Sequence, residues 1–333
     1  MLNLKLLRNI ALALVLGLST AYAGNYHELT RFPLGGDGGW DYLVVDAPTR
    51  RLFIARSNRI MVVDVDTGKP IGEITGLERA HGVALVNSLN RGFASSGGTG
   101  EVVAFDLKTL KILGKIKAGE NPDAILFDQA SKRLFAFNGK SSNITAIDPE
   151  SLKVLGTVPV SGKPEFAVSD EAGHVFFNIE DKNELDVLDP AQLKITAQYP
   201  LAPCEEPTGV SLDRVSKRLI VGCGNRVAAI VAADTGKISQ TFKVGDGVDA
   251  TAYDTDRKLA FVSAGEGVLT ILASSAKGFK SIQDLKTVKG ARTLAVDEKT
   301  GRIFLPVAKL VKDKPDSRPS VVPGTFEVLV VGK

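Results

Sequence analysis

Asp123-Ala-Ile-Leu-Phe-Asp-Gln-Ala-Ser-Lys-Arg-Leu-Phe-Ala-Phe-Asn138, then Ser141-Ser-Asn-Ile-Thr-Ala-Ile-Asp148, then Lys153-Val-Leu-Gly-Thr-Val158, is the stretch that decides the fold. Two apolar segments flank a polar turn at 129–132, which reads as a β-hairpin. The next two segments alternate apolar and polar residues across a turn at Pro149-Glu-Ser151, as half-buried strands do. The unit is therefore four consecutive antiparallel strands.

The same phrase recurs along the chain. Its second strands are anchored on Phe53, Phe93, Phe135, Phe177, Ile220, Phe261 and Phe304, at spacings of 40, 42, 42, 43, 41 and 43 residues. Asp46, Asp213, Asp254 and Asp297 open the corresponding first turns, where a carboxylate accepts backbone N–H bonds two residues on. Most turn carboxylates are thus local caps. A single four-stranded unit cannot cover both its faces, so seven of them predict an all-β, seven-bladed β-propeller of four-stranded antiparallel blades. The last unit lacks a fourth strand, and the segment 26–34 before the first unit resembles one. The N-terminal strand is expected to complete the last blade, making 24–333 one domain with a loop insertion at 309–325 on the rim that carries the blade entries.

The ends and composition set the compartment. Lys5 and Arg8 precede an apolar run over 10–18 and Ala21-Tyr-Ala23, the pattern of a signal peptide over 1–23, so the mature chain is expected to be periplasmic or secreted. Removing that leader leaves 39 basic residues against 38 acidic ones, with aromatics at 6%. This balance argues against a nucleic-acid partner. Cys204 and Cys223 fall in one unit, near one rim, and are candidates for a disulfide. Two cysteines without Cys-x-x-Cys exclude covalent haem attachment and a dithiol redox motif. With three histidines and no Gly-x-Ser-x-Gly or His-Glu-x-x-His, serine-hydrolase and zincin chemistry are excluded as well.

Twelve residues before the anchors stand Asp41, His81, Asp123, Glu165, Thr208, Asp249 and Arg292. A propeller gathers such positions into one ring around its channel. Crowded carboxylates raise one another's pKa unless a cation compensates. Asp123, Glu165 and Asp249 are the candidate metal ligands, for Ca²⁺ or Mg²⁺ if oxygens dominate and Zn²⁺ or Mn²⁺ if His81 joins. The competing reading is a solvated polar ring in a water-filled channel. Trp40, in Gly35-Gly-Asp-Gly-Gly-Trp-Asp41, is either a stacking platform for a ligand or part of a glycine turn into the first blade. Arg56, Ser96, Asn138, Glu180 and Cys223, three residues past the anchors, would widen the mouth, whereas His27 and His174 read as surface residues.

The segments Ser57-Asn-Arg-Ile-Met-Val-Val-Asp-Val-Asp-Thr-Gly-Lys69 and Asn143-Ile-Thr-Ala-Ile-Asp148 resemble the YVTN-type β-propeller repeat. Ala80-His-Gly-Val-Ala-Leu85 and Asn121-Pro-Asp-Ala-Ile-Leu126 are similar to that repeat's opening, with Ala124 and Ala250 where glycine is usual. With the leader, the chain resembles YncE-like periplasmic proteins. The resemblance implies an exported, monomeric propeller and no shared catalytic motif. Three function classes follow: a binding or scaffold protein acting on a small ligand or periplasmic protein through the channel rim, a metal-dependent lactonase-like hydrolase using the acidic ring, and a single-stranded nucleic-acid binder.

Overall fold

The computed structural model describes residues 25–312 and 319–333. The leader expected over 1–23 and the middle of the 309–325 insertion lie outside the described residues. Seven four-stranded antiparallel sheets follow in sequence, each strand hydrogen-bonded to the next. Blade 1 comprises Leu43–Asp46, Arg51–Arg56, Arg59–Asp64 and Pro70–Thr75, and blade 3 Pro122–Asp128, Arg133–Asn138, Asn143–Asp148 and Lys153–Pro159. Blade 7 takes Ala295–Asp297, Arg302–Val307 and Glu327–Gly332 from the C-terminal end, and His27–Pro33 pairs antiparallel with Glu327–Gly332 to close the ring. Blade closure by the N-terminal strand is as the sequence predicts.

Packing between blades explains the repeat. Each anchor faces the following blade: Phe53 shares a core with Val103 and Phe105 of blade 2, and Phe93 with Leu134 and Ala136 of blade 3. Further out, Leu110, Leu152 and Leu193, each with left-handed φ, press a methyl over Gly72, Gly114 and Gly156 of the preceding blade. A Cβ on Gly72 would stand 2.7 Å from the Leu110 methyl, so the pair is a knob and its hole.

One anchor differs from the sequence reading. In blade 4 the residue paired with Val187 and packed toward Leu212, Leu219 and Val221 of blade 5 is Phe176. Phe177 looks back instead to Phe137 of blade 3, ring to ring at 5.4 Å. The cause is the first turn. Four residues separate the paired Asp128 and Arg133 in blade 3, but only 171–173 separate Asp170 and His174, whose backbone bond closes the turn with Gly173 at φ 113°. The second strand consequently starts one residue early.

The 309–325 insertion, expected as a plain loop, carries a short hairpin, Leu310–Val311 against Ser320–Val321. Its base lies near the mouth: a Cβ on Gly290 would be 3.4 Å from Leu310 and 3.6 Å from Trp40.

Candidate functional site

In five of the seven blades the innermost strand begins with a β-bulge, and the ring residue sits in it. The register shifts between Ala80 and Val83, Pro122 and Ile125, Pro164 and Ala167, Pro207 and Val210, and Val248 and Ala250 bracket His81, Asp123, Glu165, Thr208 and Asp249. A bulge leaves one residue out of the ladder and re-aims its side chain, here toward the axis.

Three of the seven converge. The His81 Nδ1–H donates to Asp41 Oδ2 at 2.6 Å and lies 3.6 Å from Asp123 Oδ1, with side chains 13%, 15% and 16% exposed. Their ligand-type atoms all lie within 4.8 Å of one another. Beside them, Asn121 Nδ2 reaches Asp123 Oδ2 at 3.5 Å. The buried His81 Nε2 and Asn121 Oδ1 have no hydrogen-bond partner among the described residues. Both point at Gly97, where a Cβ would come within 2.8 Å of each.

The other ring members are already paired. Glu165, expected with Asp123 and Asp249 as a ligand, accepts from Lys163 Nζ at 2.6 Å, and the same ammonium bonds Glu180. Asp249 pairs with Arg292, which also lies 3.6 Å from Asp41. Thr208 donates to the Val248 carbonyl. The structure thus gathers Asp123 with Asp41 and His81, and sets Glu165 and Asp249 against cations. Toward blades 5 and 6 the mouth opens into a cavity of about 630 Å³, lined by Glu206, Thr208, Asp246, Asp249, Glu266 and Arg292 among others.

Beneath the ring the channel is closed. Tyr42 of blade 1 and Phe166 of blade 4 stack across the axis with ring centroids 4.5 Å apart, and the Tyr42 hydroxyl donates to the Asp249 carbonyl of blade 6 at 2.8 Å. The pair gives the mouth an aromatic floor. The low-dielectric floor strengthens the electrostatics above it. Burial works against the His81 imidazolium, but the bond to Asp41 and the charges of Asp123 and Asp41 outweigh it and raise its pKa. Burial, then the charge of Asp41, raises Asp123 against the pull of His81 and Lys163. Glu165 is pushed up to about 8 by burial and Asp123, while Lys163 opposes. Lys163 itself is raised, the two glutamates outweighing its own burial. The ammonium thus holds its proton, and burial wins at the carboxyl.

The outer candidates resolve differently. Trp40 packs its ring 6.0 Å from Phe326. The glycine run beside it is a turn held by Arg56, whose fully buried guanidinium donates to the carbonyls of Gly35, Asp37, Gly38 and Gly39 and lies 3.6 Å over the Phe326 ring. Burial lowers the Arg56 pKa to about 10. Arg56, Ser96, Asn138 and Cys223 do not widen the mouth, because all four are buried where the second strands end. Their counterpart in blade 4 is the buried Ile179, and Glu180, one residue on, is the one that reaches Lys163. Cys204 and Cys223 are joined in a buried disulfide, Cα to Cα 5.4 Å. His27 lies in the closing strand, with Nδ1 3.2 Å from the Asn25 carbonyl.

Lys163, Asn121, Tyr42 and Phe166 carry the site and were not singled out in the sequence, yet each had a signal. Two positions before the ring, the four consecutive blades 2 to 5 carry Arg79, Asn121, Lys163 and Glu206, and the other three carry glycine. One position after it stand Tyr42, Gly82, Ala124, Phe166, Gly209, Ala250 and Thr293, five small residues and two aromatics from opposite blades.

No family model and no curated protein matches the chain. Solved structures do resemble it. A chain from the crystal structure of the mitotic checkpoint complex aligns with TM-score 0.74 at 14% identity, over 91% of this chain and 96% of that one. The structure of U3-55K aligns with TM-score 0.76 at 9% identity over 92% and 98%, and Kuenenia stuttgartiensis hydrazine synthase with 0.70 at 14% over 81% and 92%. At these identities the likeness is one of fold: a seven-bladed β-propeller with WD-like four-stranded blades.

Proposed function

We propose that this chain is an exported binding propeller of the YVTN type that captures a divalent cation, alone or carried by a small ligand, in the cup at its channel mouth. The observation behind this reading is the meeting of Asp41, His81 and Asp123 from three successive blades, with ligand atoms within 4.8 Å of one another over an aromatic floor. Two carboxylates and an imidazole suit Zn²⁺ or Mn²⁺ better than Ca²⁺, which prefers oxygen alone. The carboxylates that crowd the same mouth repel phosphates, so the nucleic-acid reading is not carried forward.

The test is calorimetric titration of chelator-treated protein with Zn²⁺ and Mn²⁺. Asp41→Asn with Asp123→Asn is expected to weaken binding by about a hundredfold, in keeping with the loss of two charged ligands, while Asp249→Asn leaves it within about threefold. Equal losses in both, or no binding by the unaltered protein, would sink the proposal. A second reading has its own observation. Burial and the charge of Asp123 push the Glu165 carboxyl up to about 8, the direction a general acid beside a cation needs. Cation-dependent lactone hydrolysis that falls in Glu165→Gln would favour the hydrolase.

A further inference from the structure

Arginines staple the blades together on the face opposite the mouth. Arg51 of blade 1 donates to the Leu107 carbonyl of blade 2. Arg91 of blade 2 reaches Pro149 and Glu150 of blade 3, and Arg133 of blade 3 bonds the carbonyls of Pro190 and Ala191 of blade 4 at 2.7 Å. Arg218 of blade 5 reaches the Ser275 carbonyl of blade 6 at 3.0 Å, and Arg302 of blade 7 the Asp66 carboxylate of blade 1 at 3.3 Å. Every one heads a second strand and crosses to the turn before the next blade's last strand.

Between blades 4 and 5 the staple is missing. With the shortened first turn of blade 4, the residue in the arginine's place is His174, whose Nδ1 instead faces Asp170 Oδ2 at 2.8 Å. The leucine knob is missing too: Gly236 stands in the turn and Ala197 in the strand that elsewhere carries the glycine hole. A groove of about 570 Å³ remains, floored by Val187, Tyr199 and Leu212 and edged by Asp170 and Asp234. The carbonyls matching Pro190 and Ala191 are those of Ala233 and Asp234. Among the described residues no guanidinium reaches either, and Asp234 takes only the Tyr199 hydroxyl, at 3.3 Å. Arg214 on the rim is already committed to the Ser169 carbonyl and Glu171. Lys217 and Arg214 share the lining with Asp170 and Asp234, and Arg214 is drawn aside to Glu171.

We propose that this groove receives an arginine side chain from a partner polypeptide. The guanidinium takes the place that Arg91 and Arg133 fill in their own junctions, its stem lying on the apolar floor. The fork of two adjacent carbonyls, taken by Arg133 in the preceding junction, selects arginine over an uncharged side chain of the same shape, because a charged donor makes the stronger bonds.

The experiment is fluorescence anisotropy with a labelled Gly-Leu-Arg-Leu-Gly peptide and its citrulline twin. The arginine peptide is expected to bind and the citrulline one to bind at least about tenfold more weakly. His174→Arg, at a side chain 54% exposed, supplies a guanidinium within the chain and is expected to weaken peptide binding by about tenfold or more. Asp170→Asn with Asp234→Asn removes the carboxylates and is expected to do the same. The proposal falls if the two peptides bind within about threefold of each other, if neither variant weakens binding, or if the arginine peptide shows no binding at about 1 mM.

Discussion

Asp186 is expected to be a built-in instability, and Asp186→Asn to relieve it. The residue is fully buried in the third strand of blade 4, between its register partners Phe177 and Gln198. Gln198 Nε2 donates to Oδ2 at 3.1 Å, and Oδ1 has no partner among the described residues. The matching positions elsewhere are Met61, Val103, Thr145, Ala229 and Thr270, none of them ionisable. Burial pushes the Asp186 pKa to about 6, against the single bond from Gln198. A carboxyl whose pKa is raised on folding stabilises the fold fully below its unfolded pKa, and that contribution is lost as pH rises through the folded value. A shift of about 2 units corresponds to about 3 kcal/mol, all of it lost by pH 7.5. The neutral isostere should therefore raise stability by about 2 to 3 kcal/mol at pH 7.5, a gain of about 5 °C in Tm for a chain of this size, and by nearly nothing at pH 4. Thermal unfolding followed by the fluorescence of Trp40 at both pH values decides it. A variant that is less stable at pH 7.5, or that gains equally at pH 4, would refute the assignment of Asp186 as an unpaired buried charge.

Two further substitutions probe the cup. Phe166→Ala removes half of the aromatic floor; a half-buried ring that also stacks contributes about 2 to 3 kcal/mol, and urea unfolding should show that loss together with weaker Zn²⁺ binding. A loss below about 1 kcal/mol would mean that the pair does not close the channel. Arg56→Lys cannot serve four carbonyls from one nitrogen, so it is expected to cost about 3 kcal/mol and to shift Trp40 emission as the glycine turn loosens. An unchanged unfolding midpoint and emission maximum would show that the buried guanidinium is not what holds the turn.

The blade count, the strand order and the closing strand were legible because each rests on local patterns repeated seven times. Alternation and turn chemistry survive even where one copy is irregular. Blade 4 shows where that reading fails. Phe176 and Phe177 are both phenylalanines, so the spacing alone did not reveal that a turn one residue shorter had moved the anchor. The ring was legible for a similar reason, since its members share one offset from the strand start. Which of them pair with each other was not, because pairing depends on side-chain reach across a curved surface. Lys163, two residues before Glu165, and Arg292, in the blade after Asp249, pair with those carboxylates, a choice among neighbours that the shared offset does not make. The residues three past the anchors misled for the opposite reason: the strand ends at the rim, but neighbouring segments, the 35–39 turn over Arg56 among them, fold over it and bury Arg56, Ser96 and Asn138.

Departures from the repeat, more than the repeat itself, mark where this chain has something to do. Five small residues line the position after the ring because the axis is narrow, and the two aromatics that break the rule turn a channel into a cup. A small residue at all seven positions would leave the charges of the mouth facing water from both sides, where a cation gains little over its hydration shell. Tyr42 and Phe166 stack beneath the charges, and burial raises Asp123 and Glu165 above the ordinary carboxyl range. On the opposite face the logic is inverted. The shortened turn of blade 4 withdraws an arginine that four other blades use to seal the junction to their next neighbour's backbone, and the resulting groove keeps the carbonyls without their donor. The proposed cation cup and the proposed arginine groove thus rest on exceptions to one repeat: two aromatics among small residues at the mouth, and a histidine in an arginine's place between blades 4 and 5.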